Sequence, residues 1–290
     1  MRGRRSWIHL GVLVGLPLAA LGIWLPSAAP TWGAGPAAAV ANQASVAIGS
    51  GDFYYTAPDV IEGGLVTIEY SNAGPEPHHA QIVRLPDSVS LEQFSAALAG
   101  DEKAVFGLVQ QVGGAAAVAP GRTTEVALTL DAGTYALICV IPTPSDGIRH
   151  FAKGMVKPFL VTPAMAPVEP PAIVGTISLR DFTFDMPDTI AAGRSVYAVT
   201  NEGPAQPHEV AFVKLAPGKT AEDARQAIMN PGGRPPFEPV GGFQSTDVAG
   251  GGYVTMDLEP GEYAAICRVT EPISGVSHVH LGMIKGFRVV

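Results

Sequence analysis

Cysteine is nearly absent from this chain, with two residues in 290. That excludes a small disulfide-stapled scaffold, which is dense in cysteine. Charge is scarce too, at 15% of residues, and no cluster of basic residues follows Arg5. Charge-driven disorder and nucleic-acid binding are thereby disfavoured. Histidine and methionine, seven of each, limit how many metal centres the chain can furnish. What is plentiful is glycine (34) and proline (26), set between short apolar runs rich in Val, Thr and Tyr. Many strands and turns follow, and a chain 47% hydrophobic can fill two domain cores.

The first residues, MRGRRSWIHLGVLVGLPLAALGIWLPSAAP, join an arginine cluster to an apolar run and then small residues, the pattern of an export signal. Two readings stand for residues 1–41: a signal cleaved after the AVA that precedes Asn42, or a retained membrane anchor. Arg4 and Arg5 before SWI also resemble a twin-arginine signal loosely. Each reading puts the remainder outside the cytoplasm: periplasmic, extracellular or anchored to the outer face of the cytoplasmic membrane. Without Arg2, Arg4 and Arg5 the chain holds 15 basic and 26 acidic residues, a net charge of −11. Such a surface suits a basic redox partner, while a membrane is met only through an uncleaved anchor.

The rest is one unit written twice. Asp52, Phe53, Pro58, Asp59, Ile61, Gly64, Asn72 and Gly74 fall onto Asp181, Phe182, Pro187, Asp188, Ile190, Gly193, Asn201 and Gly203 without a gap. One inserted residue then sets Pro77-His78 on Pro207-His208; LDAGTYALIC matches LEPGEYAAIC, and KGMVKPFLV matches LGMIKGFRV. A repeat this long is a whole domain. The expected organisation is a domain over 45–162, a proline-rich linker over 163–173 and a second domain over 174–290. Alternating strands dominate each unit. One helix interrupts each: SLEQFSAAL with Ser90 as N-cap, and TAEDARQAI with Thr220, both placed at the edge or end of a sandwich.

Cysteine, histidine and methionine recur in one order in both units. The sets are His78, Cys139, His150, Met155 and His208, Cys267, His278, Met283. Taken singly, a strand cysteine is core packing, a turn histidine is solvated and a methionine is filler. Two imidazoles, a thiolate and a thioether repeated together point instead to copper, in a site suited to both oxidation states. His79 competes with His78 as the first ligand; His78 follows a proline as His208 does. His280 has no counterpart in the first unit and reads as a surface residue or an auxiliary ligand.

These motifs resemble those of the plastocyanin-type blue copper proteins, the cupredoxins. NAGPEPH and NEGPAQPH match the segment carrying the first histidine of that family; HFAKGMVKPFLV and HVHLGMIKGFRVV match the late histidine–methionine segment before the last strand. The resemblance implies an all-β chain of two tandem Greek-key β-sandwiches, with up to two type 1 coppers. Two features depart from it. Ten residues separate each cysteine from the following histidine, a longer loop than in small plastocyanins. The position after the first ligand, often Asn in plastocyanins, holds His79 or Glu209, so its supporting hydrogen bond is expected to differ. Only His79 and His280 remain for a catalytic copper, and Ile138 and Ile266 precede the cysteines where nitrite reductases carry a catalytic-copper histidine. Electron transfer is therefore the leading expectation. Copper delivery, and an interaction role with degenerate sites, are the alternatives, ahead of a multicopper enzyme.

Overall fold

The computed structural model describes residues 45–290, apart from 101, 272 and 273. The expected export segment and His9 lie outside the described residues. The first repeat holds strands β1 (Ser45–Gly51), β2 (Tyr54–Thr56), β3 (Val60–Glu62), β4 (Gly64–Asn72), β5 (His78–Leu85), β6 (Gln110–Val118), β7 (Thr123–Leu130), β8 (Gly133–Ile138) and β9 (Val156–Thr162), with helices α1 (Leu91–Ala97) and α2 (Glu102–Phe106). The second holds β10 (Gly175–Arg180), β11 (Thr183–Asp185), β12 (Thr189–Ile190), β13 (Gly193–Gly203), β14 (His208–Leu215), β15 (Phe237–Thr246), β16 (Gly251–Leu258), β17 (Gly261–Ile266) and β18 (Ile284–Val289), with helix α3 (Ala221–Met229).

The strands form two layers that run through both repeats. One sheet of eight has the order β11-β10-β13-β16-β7-β4-β1-β2; one of ten has the order β12-β18-β17-β14-β15-β6-β5-β8-β9-β3. The repeats meet where β15 pairs with β6 and β16 with β7, both antiparallel. The register is self-matching. Val240 faces Val118, Phe243 faces Ala115 and Thr246 faces Val112, and the offset that carries Cys139 onto Cys267 exchanges the outer two pairs and turns the central one on itself. Val126 facing Val254 is the corresponding centre in the other sheet. An approximate two-fold axis thus passes through both layers.

Phe243 occupies that axis, fully buried. A side chain at Gly113 or at Gly252 would strike its ring at 2.5 Å and 2.7 Å, so a glycine from each repeat makes room for it. Polar ties reinforce the junction. Gln81 Nε2 donates to the Ser245 carbonyl (2.9 Å), Gln111 and Asp247 exchange two hydrogen bonds, and Arg122 pairs with Glu238.

Both expected capping boxes are present: Ser90 with Gln93 opens α1, and Thr220 with Asp223 opens α3. The helices, however, do not cap an edge or end. They cover the outer face of the ten-stranded sheet, where Phe94 and Val105 pack on Val83, Leu85, Ala136 and Ile138, and Ala224 packs on Val213, Ala264 and Ile266. The reason lies in the strands: β5 and β8 are apolar on both faces, and an apolar outer face has to be covered.

Phe243→Ala should remove a ring shared by both repeats and destabilise the chain by about 3–5 kcal/mol. Both repeats should unfold in one earlier thermal transition, as read by calorimetry. Loss of one repeat alone would mean that the junction does not couple them.

Candidate metal centres

Strand alternation aims the donors. On β5, His78, Ala80 and Ile82 face inward while His79 and Val83 face the outer side; on the following β8, Tyr135 and Leu137 face inward, and Cys139 just after it continues that face. In the second repeat His208 and Cys267 are set in the same way beside Val210, Phe212, Tyr263 and Ala265. His150 begins a short 3₁₀ turn, His150–Lys153, that ends at Gly154 in the left-handed region (φ 104°). Met155 follows and is tied to its partners through the backbone: its N–H donates to the His150 carbonyl (2.9 Å), and the Cys139 N–H donates to the Met155 carbonyl (3.3 Å). Met283, His278 and Cys267 repeat this pattern at 2.9 Å and 3.1 Å.

The long loops close on themselves. Thr143 N–H donates to the Ile148 carbonyl and His150 N–H to the Ile141 carbonyl; Glu271 with Val276, and His278 with Val269, do the same. The additional residues therefore form a small hairpin excursion with its own hydrogen bonds, and the histidine at its base stays fixed.

Among the described residues two groups of metal-ligating side chains come together: His78, Cys139, His150 and His208, Cys267, His278, all buried. His78 Nδ1 and His150 Nδ1 are 3.0 Å apart, and Cys139 Sγ lies 3.5 Å from His150 Nδ1. In the second group the two Nδ1 atoms are 3.1 Å apart, with Cys267 Sγ 3.4 Å and 3.9 Å from them. A first-row ion held by bonds of about 2.0 Å to nitrogen and about 2.3 Å to sulfur separates its donors by about 3.3 Å (N to N) and about 3.5 Å (N to S) at tetrahedral angles, within a few tenths of an ångström of these distances. Both groups fit such an ion. Met155 and Met283 are fully buried in the core that also contains the two cysteines. His79 stays outside the first group, and His280 is exposed.

The far side of three of the four imidazoles is held as well. His150 Nε2 lies 3.1 Å from Glu76 Oε2, His208 Nε2 lies 2.9 Å from Asp181 Oδ1, and His278 Nε2 lies 2.8 Å from Gln206 Oε1. An acceptor at Nε2 keeps the proton there and leaves Nδ1 bare toward the cluster. His78 Nε2 is buried without a partner among the described residues. The expected difference behind the first ligand takes a definite form. His79 Nε2 accepts the Val140 N–H (3.1 Å) and Glu209 Oε1 accepts the Arg268 N–H (2.8 Å), so unlike side chains hold the residue after each cysteine.

Sequence reasoning passed over Glu76, Gln206, Asp181, Phe53 and Phe182. The doubled Asp-Phe at 52–53 and 181–182 was the available signal. Phe53 packs edge-on to His150 (5.0 Å, 69°) and Phe182 edge-on to His278 (5.1 Å, 86°). Both phenylalanines have left-handed backbone, φ 62° and 64°. That conformation costs a side-chain-bearing residue about 1–2 kcal/mol, and an edge-on ring pair returns about 0.5–1.5 kcal/mol. The two nearly cancel, so each hairpin tip is held down by its contact with the histidine.

Sheet order, two stacked layers and a His/Cys/His cluster between them in each repeat decide the fold. It is cupredoxin-like. No family model matches the chain, and no curated protein does. Solved structures similar to this cupredoxin-like chain include reduced auracyanin from Roseiflexus castenholzii (22% identity over 42% of this chain and 98% of that one, TM-score 0.28). A multicopper oxidase (16%, 85% and 88%, TM-score 0.25) and the copper-containing nitrite reductase of Thermus scotoductus SA-01 (14%, 85% and 61%, TM-score 0.23) are further neighbours. At these scores the likenesses add nothing to what the sheets and donors of the cupredoxin-like fold already show.

Burial sets the protonation of the metal-free clusters. It pushes the Cys139 thiol up to about 12 and the Cys267 thiol higher still, and holds His78 and His278 down at about 4. His150 and His208 are lowered by burial too, the latter against the pull of Asp181. Each cluster is thus two neutral imidazoles and a protonated thiol, and binding a cation must release the thiol proton. Affinity per site should rise about tenfold per pH unit between pH 5 and 8, with one proton released, as read by calorimetry in buffers of different ionisation enthalpy. A folded-state histidine pKa below the unfolded value gives stability that is complete above about 6.5 and is lost as pH falls toward 4. The metal-free chain should therefore melt progressively earlier over that window.

Proposed function

We propose that the chain is an exported electron carrier that holds one copper at His78, Cys139, His150 and Met155 and a second at His208, Cys267, His278 and Met283. One observation carries the reading: the same buried His/Cys/His convergence, with a methionine tied to the cysteine backbone, is built twice. Bound copper would supply a one-electron couple of the type 1 kind. The protein's part is to keep the donors where they are in both oxidation states. Strand backbone fixes the first histidine and the cysteine, the 3₁₀ turn or its equivalent fixes the second histidine, and Glu76, Asp181 and Gln206 fix the ring orientations.

An enzymatic role needs a further centre with an open position. Ile138 and Ile266 precede the two cysteines and pack outward against the helix-covered clusters, so neither position offers a ligand to a neighbouring copper. The acidic exported surface suits a basic redox protein as partner.

Copper-loaded protein should be intensely blue and reversibly reducible, with Cys139→Ala and Cys267→Ala each removing one site's thiolate band while leaving the fold intact. Full colour in the double variant would overturn the assignment; a pale, exchangeable site would favour copper delivery. Nitrite and phenols should not be turned over. Redox titration of the two single variants should give distinct potentials, because His79 and Glu209 place different charge beside the cysteines.

A further inference from the structure

The two clusters share their donors but not the side chain that approaches the cysteine from the eight-stranded sheet. Tyr55 on β2 points inward, is 7% exposed and lies in the same core as Cys139 and Met155. Its hydroxyl donates to the His79 carbonyl at 2.5 Å. Pairing of Gln81 with Ile138 sets Ala80 opposite Cys139, so the carbonyl that holds this hydroxyl borders the cysteine. The Cys139 sulfur is accordingly within hydrogen-bond reach of three groups, the His79 N–H, the Ile141 N–H and the Tyr55 hydroxyl. Cys267 has the matching N–H pair, from Glu209 and Val269. Phe184 takes the place of Tyr55 on the second hairpin, equally buried but with no hydroxyl to offer. Tyr70, whose place Val199 takes, belongs to the same core, yet its hydroxyl is committed to Ser50 at 2.8 Å.

We propose that Tyr55 donates its hydroxyl hydrogen bond to the Cys139 sulfur once that sulfur is a metal-bound thiolate, and that this third donor gives the first site the higher reduction potential. The inference rests on the metal-site reading above. In the metal-free chain the sulfur is a thiol, a weak acceptor, and the hydroxyl serves the His79 carbonyl instead. A hydrogen bond to a charged acceptor is roughly twice as strong as one between neutral groups, so the better partner changes from oxygen to sulfur. The change asks only for a turn of the hydroxyl, whose oxygen already lies within reach of both acceptors. A donor at the sulfur draws electron density from it, weakens its donation to the more oxidised ion and favours the reduced one. Tyr55 is thus a positioning residue that acts through the cysteine. The Glu209 carboxylate beside Cys267 works in the same sense, since negative charge favours the more oxidised ion at the second site. Exchange of the two ring residues separates the hydroxyl from that charge.

The test uses the full chain with one site silenced at a time: Cys267→Ala reports the first site and Cys139→Ala the second. In cobalt(II)-loaded protein, Tyr55→Phe should move the first site's thiolate-to-cobalt band to longer wavelength and leave the second's in place. Phe184→Tyr should move the second's to shorter wavelength. In copper-loaded protein, Tyr55→Phe should shift the first site's reduction equilibrium about fivefold toward the oxidised ion, part of the roughly tenfold or more that a whole hydrogen bond to a charged acceptor carries. A residue that merely packs would move neither readout, because phenylalanine keeps the ring. An unmoved cobalt band, or an unmoved reduction equilibrium, in folded Tyr55→Phe overturns the proposal. Should that variant fail to fold, Phe184→Tyr decides, and an unmoved second-site band overturns it. A parent that binds no cobalt overturns the sites and the hydrogen bond together. A parent whose cobalt bands respond as expected, but which copper does not make reversibly reducible, keeps the hydrogen bond and overturns the electron-carrier reading.

Discussion

A slip of one residue between β5 and β8 would turn Cys139 from the interior to the helix-covered face, away from His78. Everything at the two clusters rests on that register. Side chains alternate with a period of two, so pairing Gln81 with Ile138 and Leu85 with Thr134 is what leaves His78 and Cys139 on one inner face. Apolar residues on both faces pin the register, because a shifted β8 would exchange Leu137 with the small Ala136 in a close-packed core. The second repeat depends on the same pairing between β14 and β17.

Much of this was legible in the residues. The order Cys, His, Met with an upstream His after proline, doubled, pointed to the six histidine and cysteine side chains that lie together in the structure, and the alternation of VTIEYSN or TEVALTLD named the strands. The choice of His78 over His79 followed from the proline and agrees with the inward face of β5. Three things were hidden. Helix α2 runs for only five residues, too short for a helical period to show in the residues. The outer position of the helices depends on where Val83 and Ala136 point, which becomes plain only once strands are paired. The junction between repeats rests on Gly113, Gly252 and Phe243, residues that read singly as turn formers and core. A repeat in sequence says that two units exist; it does not say that their sheets are continuous.

The side chains behind the ligands separate two sites that share a donor set. The first site has Glu76 behind its second histidine and neutral His79 behind its cysteine; the second has Asp181 behind its first histidine and Glu209 behind its cysteine. Duplication supplied the donors, and the surroundings then diverged. Groups packed against a buried cysteine and imidazole are screened less by solvent than surface charges are, so these substitutions would bear more strongly on a bound metal.

The two-fold axis at Phe243 has a consequence for how the molecule meets others. His78 stands level with Val118 and Val240, whereas His208 stands level with Thr246 and Val112, six positions away along the shared strands. At about 3.3 Å per residue that is about 20 Å of strand, with β6 and β15 lying between. The clusters therefore belong to opposite rims of the paired sandwiches. A protein seated at one rim leaves the other uncovered, so the chain has the layout of a span with two landings.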